Sequence, residues 1–132
     1  MRIFSSPLYI GLAALLLLYL SVQVSMVRRR YKVGLGDGGH EELLRAIRVQ
    51  GNFIEYVPIA LLLIVAADLV GHEKWTVHAM GIALLVGRVC HAYGLARDSG
   101  ESVGRLIGTS LTYLVLLAGA ALAIASFFGV RV

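Results

Sequence analysis

Charge is scarce in this chain, and so are cysteine and proline. Of its 132 residues, 15% are charged and 58% are hydrophobic, and the mean hydropathy is +0.81. A soluble domain of this size is nearer about 45–50% apolar, so a soluble module is excluded. The single cysteine, Cys90, rules out an intrachain disulfide and reads as a small packing residue rather than a catalytic thiol. His40, His72, His78 and His91 are scattered without metal-ligand spacing, and no metal is assigned. No internal repeat and no low-complexity tract stands out. The first apolar segment lacks an acid, which argues against a small four-helix exporter that relies on a carboxylate in its first span. It also lacks a small-x-small cleavage site before Arg28-Arg29-Arg30, so it reads as a retained span rather than a signal peptide.

What the chain does have is four apolar segments, about 7–27, 47–70, 75–95 and 106–128. Each is near the ~20 residues a helix needs to cross the hydrocarbon layer. The expected fold is all-α: one integral membrane domain over 1–132, an up-down four-helix bundle with short antiparallel connections. The first connection carries Arg28, Arg29, Arg30, Lys32, Arg45 and Arg48, and the third carries Arg97 and Arg105. The opposite side has Arg2, Lys74 and Arg131. Positive-inside reasoning puts the first and third connections in the cytoplasm and both termini outside. The net charge of +4 is therefore juxtamembrane, suited to lipid headgroups and not a sign of nucleic acid.

Gly34-Leu-Gly-Asp-Gly-Gly39 matches G-x-G-x-x-G in form, but a dinucleotide site needs a preceding strand. It reads as a turn. Glu41 and Glu42 suit the first turn of helix two, Pro58 suggests a kink in it, and Gly71–Lys74 reads as a tight turn before Trp75 at an interface. Gly104-x-x-x-Gly108 permits close helix approach at the start of helix four.

The most informative stretch is 48–58. Arg48, Asn52, Glu55 and Tyr56 fall within an arc of about 100° on a helix, while Gln50 points elsewhere. Charged groups at membrane depth face protein or water and by default mark a functional site. Arg88, His91 and Tyr93 on helix three and Arg105 at helix four lie toward the same cytoplasmic ends. The bland account pairs Glu55 with Arg48 or Arg88 as structural bridges. Taken together, the set suits a small zwitterionic ligand. Asp68 lies toward the other face and is given a structural or solvated role. Tyr9, Tyr19 and Tyr113 read as interface or packing residues.

The run Arg48-x-Gln50-x-Asn52-x-x-Glu55-Tyr56-x-Pro58 resembles the second-helix motif of the MAPEG family, membrane-associated proteins in eicosanoid and glutathione metabolism. The match extends through Val22-Gln-Val-Ser25 and Arg28-Arg29-Arg30-Tyr31-Lys32-Val33, and through Arg88-Val-Cys-His-Ala-Tyr-Gly94, in order along the chain. The resemblance implies a homotrimer with glutathione, the co-substrate, bound at each subunit interface near the cytoplasmic surface. It implies glutathione contacts from Arg28, Arg48, Gln50, Asn52, Glu55, Tyr56, Arg88, His91 and Tyr93. By the same resemblance Arg105 holds the thiol as thiolate, with Arg97 its competitor, and Arg29 assists the electrophile. Helix three departs from the family pattern, with His91 and Leu95 where tyrosines are common. The expected activity is a membrane-bound glutathione transferase, possible glutathione peroxidase activity included, acting on a hydrophobic electrophile or lipid hydroperoxide drawn from membrane lipids. The alternative is a non-catalytic glutathione- or lipid-binding protein of the same fold.

Overall fold

The computed structural model describes residues 4–97, 100 and 102–129. Arg2 and Arg131, used above for orientation, lie outside the described residues. Four helices follow one another: α1 (Ser6–Tyr31), α2 (Glu41–Val70), α3 (Lys74–Arg97) and α4 (Val103–Phe127). No strand occurs among the described residues. All four helices are long and apolar enough to cross a bilayer, and the chain is a multi-pass integral membrane protein. The expected spans fall on these helices to within one residue. Each helix also continues past its apolar run at the basic end, α2 by the turn and a half from Glu41 to Ala46.

Helices α2 and α3 each pack against all of the others, whereas α1 and α4 make no contact with each other among the described residues. Helix α2 does so through a stripe of apolar side chains. Val49, Phe53, Val57, Ala60 and Ile64 recur at three- and four-residue spacing and are buried against Leu20, Val77, Met80, Leu84 and Val115. Helices α1 and α4 keep leucines on their outer sides, among them Leu15, Leu18, Leu114 and Leu117, as a lipid-facing surface requires. Pro58 is accommodated inside a continuous α2.

Helices α3 and α4 pack most extensively, because glycine lines their seam. A methyl added at Gly104 would come within 2.8 Å of the Cys90 carbonyl oxygen, and one at Gly94 within 2.8 Å of the Arg105 nitrogen. At Gly108 an added carbon would overlap the Gly87 carbonyl and reach 2.7 Å from the His91 nitrogen. The backbones therefore touch, as small-residue spacing allows.

Caps set the helix ends. Ser5 makes no side-chain cap for α1. Instead the Asp68 carboxylate, from the last turn of α2, accepts hydrogen bonds from the Ser5 and Ser6 amides at 2.7 Å each. An anion at this position satisfies two otherwise orphaned donors and complements the helix dipole. Asp68 is thus buried and structural. At the basic end, Gly36, Gly38 and Gly39 adopt φ of 69°, 59° and 79°, so Gly34–Gly39 is a turn, stapled by the Arg28 guanidinium donating to the Gly36 carbonyl at 2.8 Å.

Candidate functional site

Arg48 and Glu55 meet across two turns of α2, with Nη1 to Oε1 at 3.3 Å. Gly51 lies between them, and its missing side chain leaves the space: a Cβ there would stand 3.6 Å from Arg48 Nη1. Both charged groups are about half exposed on the outer side of a single chain. Glu55 lies within the apolar run, where a charge toward lipid is costly. This face is suited to cover by a ligand, water or another protein surface.

One turn around α2, Asn52 and Tyr56 turn inward toward Arg88. The Arg88 residue is only 3% exposed. Its Nη1 donates to Asn52 Oδ1 at 2.7 Å and its Nη2 to the Gly108 carbonyl at 3.2 Å. The α3–α4 glycine seam makes the second bond possible by bringing the Gly108 backbone into reach. The guanidinium carbon lies 5.9 Å from the centre of the Tyr56 ring. Nε has no hydrogen-bond partner among the described residues, and no carboxylate forms an ion pair with Arg88 there. A buried cation held by neutral dipoles alone gives this region a positive potential.

Arg105 sits in the first turn of α4, where Ser102 Oγ accepts from its backbone nitrogen at 3.3 Å. Its Nη1 donates to the Gly100 carbonyl. With His91, Ser102, Val103, Leu106 and Thr109 it lines a cavity of about 550 Å³. His91 is buried, at 6% exposure. Arg105 and His91 therefore share one cavity, next to the Gly108 carbonyl that holds Arg88.

The remaining candidates face another way. Gln50 Nε2 donates to Ser21 Oγ on α1 at 2.7 Å, as its different helical angle anticipates. Arg28 is folded onto the glycine turn, and Arg29 is exposed beside it. Tyr93 is separated from His91: its ring carries the Arg97 guanidinium at 4.2 Å and borders a cavity of about 400 Å³ between α1, α2 and α3. Leu16, Leu20, Gln23, Val49, Val89 and Tyr19 also line that cavity. The candidates thus divide between an α2–α3–α4 side and an α1–α2 side.

A family model for the MAPEG family matches residues 6–125. The chain belongs to the MAPEG family. It is similar to the inner membrane protein YecN of Escherichia coli (strain K12), with 49% identity over 112 residues, covering 85% of this chain and 84% of the relative. It is also similar to leukotriene C4 synthase of Bos taurus, with 30% identity over 118 residues, covering 89% of this chain and 78% of the relative.

Within this MAPEG chain, two residues beside the site carried no strong sequence signal. Tyr113, read from sequence as packing, brings its hydroxyl 3.4 Å from that of Tyr56. Gly108 contributes a carbonyl that accepts from both Arg88 and Thr112 Oγ1, the latter at 2.8 Å. Its Gly-x-x-x-Gly spacing pointed to close packing, but a backbone acceptor has no side chain to mark it.

Proposed function

We propose that the chain is a membrane-bound glutathione transferase. The observation that carries this reading is a polar arc of α2 in an otherwise apolar chain, with Arg48–Glu55 on the outer side and Asn52 turned in to Arg88, whose other partner, the Gly108 carbonyl, lies beside the cavity of Arg105 and His91. Membership of a family with glutathione-using members supports it, as does similarity to a relative named as a leukotriene C4 synthase. Glutathione offers two carboxylates, an ammonium, two amides and a thiol. Arg48 and Arg28 take carboxylates through forked hydrogen bonds, Glu55 takes the ammonium, and Asn52, Gln50 and Tyr56 bond the amides and carboxylates.

A free thiol titrates near about 8.5, and a neighbouring guanidinium favours the thiolate, the reactive form. Arg105 has that role in this reading, Arg97 being turned onto Tyr93. The thiolate forms a bond to the electrophilic carbon and Arg29 assists the developing anion. Because Arg28, Arg29 and Gln50 lie on the α1 side while Arg48 and Glu55 share α2's other arc with Tyr56 and Arg105 lies on α4, a ligand touching both sets lies between two copies of the chain. The family's homotrimer supplies such an interface.

Two substitutions test the reading. Glu55→Gln or Arg48→Ala is expected to weaken glutathione binding about ten- to a hundredfold, the effect of losing a charged hydrogen bond worth about 1.5–3 kcal/mol. Unchanged affinity by calorimetry in both would remove the assignment. Arg105→Ala is expected to retain binding and to lose the ultraviolet thiolate signal at neutral pH.

A second reading, a binder without turnover, is favoured by one observation: Arg105 is engaged with the Gly100 carbonyl. It predicts that wild type binds glutathione with no thiolate absorbance.

A further inference from the structure

Tyr56 and Tyr113 lie on helices that start from the same end of the bundle, each eight residues beyond an arginine, Arg48 on α2 and Arg105 on α4. At 1.5 Å per residue the Cα atoms of both tyrosines lie about 12 Å further along their helices than those of the arginines, within the apolar layer. Their hydroxyl oxygens are 3.4 Å apart, and their rings are tilted at 52° with centroids 5.8 Å apart. Each hydroxyl finds only the other as a partner among the described residues. A mutual bond uses one of the two hydrogens, so one donor is left over where water is scarce and an unused donor is costly.

The surroundings say which donor that is and what it suits. Arg88, buried without a carboxylate, stands on the Tyr56 side of the pair. Tyr113 is 53% exposed at the outer edge. Charge at one end of a hydrogen-bonded chain polarises the whole chain in one sense. With Tyr56 donating to Tyr113, the Tyr113 hydrogen points outward, ready for an oxygen that gains negative charge.

We propose that Tyr113, backed by Tyr56 and Arg88, donates to the carbonyl oxygen of lipophilic α,β-unsaturated carbonyl compounds, so that this site favours them as electrophiles. The proposal rests on the glutathione reading above and deepens it. In the step, the thiolate sulfur bonds to the β-carbon and the carbon–carbon π pair moves through the α-carbon to the carbonyl oxygen. Tyr113 donates its hydrogen bond to the resulting enolate oxygen, and the proton released when the thiol ionised returns at the α-carbon. The products are the thioether and an unchanged phenol. A displacement at an alkyl halide sends the electron pair to the halide and puts no charge on an oxygen. The phenol pair therefore discriminates between the two classes, whereas a pair kept for ring packing alone would treat them alike.

The test uses the full chain in nanodiscs with glutathione, and compares cinnamaldehyde with benzyl chloride in wild type and Tyr113→Phe. The expected result is a loss of about tenfold or more in kcat/KM toward cinnamaldehyde relative to benzyl chloride, below the ~10²–10³ of a full oxyanion donor because the Tyr56 hydroxyl remains. An infrared spectrum of bound benzylacetone, which cannot react with the thiol, reads the hydrogen bond directly. Its carbonyl stretch is expected at lower frequency in wild type than in Tyr113→Phe. Equal losses toward both electrophiles, no loss, or the same carbonyl frequency in both proteins overturns the proposal. If wild type converts neither electrophile while the carbonyl shift still depends on Tyr113, the transferase reading fails and the phenol donor stands.

Discussion

Arg88 joins three helices through two short bonds, to Asn52 on α2 and to the Gly108 carbonyl of α4. At 3% exposure its guanidinium is held by these partners rather than by bulk solvent. Asn52→Ala is therefore expected to cost about 1.5–3 kcal/mol, read as a fall in the unfolding midpoint of the detergent-solubilised protein. Little or no change would mean that the amide is not the guanidinium's main support. Arg48 and Glu55 were legible as neighbours because they share one face of one helix. The Arg88–Asn52 bond was not, since nothing in the sequence tells how α3 is rotated against α2. The Tyr56–Tyr113 pairing was not legible for the same reason. A tyrosine in a span reads as packing until the helix beside it is known.

At the scale of elements, the glycine seam decides how close α3 and α4 lie. Gly108→Ala is expected to destabilise by about 1–3 kcal/mol through overpacking, and to weaken glutathione binding as well, because the displaced carbonyl serves Arg88. Gly34→Ala, where an added methyl meets nothing within 4 Å, is the matched control. Thermal unfolding and calorimetry on the pair would expose any general intolerance to alanine. Asp68 carries a second element-scale prediction. Its loss in Asp68→Ala frees the Ser5 and Ser6 amides and is expected to speed hydrogen exchange in the first turn of α1. Unchanged protection there would assign the cap to other groups. The sequence had placed Asp68 rightly outside the polar site, but left open whether it was buried or solvated.

For the whole molecule, the division of the site residues matters most. Gln50 bonds to α1, Arg48 and Glu55 share the arc of α2 whose Tyr56 meets Tyr113 of α4, and α1 and α4 do not touch among the described residues. If a site is composite, two defective chains can complement each other. On the glutathione transferase reading, co-expression of Arg28→Ala with Glu55→Gln is expected to recover part of the conjugation that each variant lacks alone. The intact halves then meet at some interfaces of mixed oligomers. Activity no higher than that of the separate variants would place both sets within one chain.

The sequence by itself determined the helices, their number and the side of the bundle that carries the polar groups. These are local matters: twenty-odd apolar residues in a row, an acid in a first turn, a glycine after a last one. It also determined the family, through the run from Arg48 to Pro58 and its flanking matches. Only the tertiary structure decided which polar groups meet. Arg48 went to Glu55, Arg88 to Asn52 and Gly108, Tyr93 to Arg97 and away from His91, and Tyr56 to Tyr113. Helical periodicity sets the angles of side chains about one axis. The rotation of one axis against the next is set by the glycine seam and the α2 stripe acting together, and no single segment contains that information.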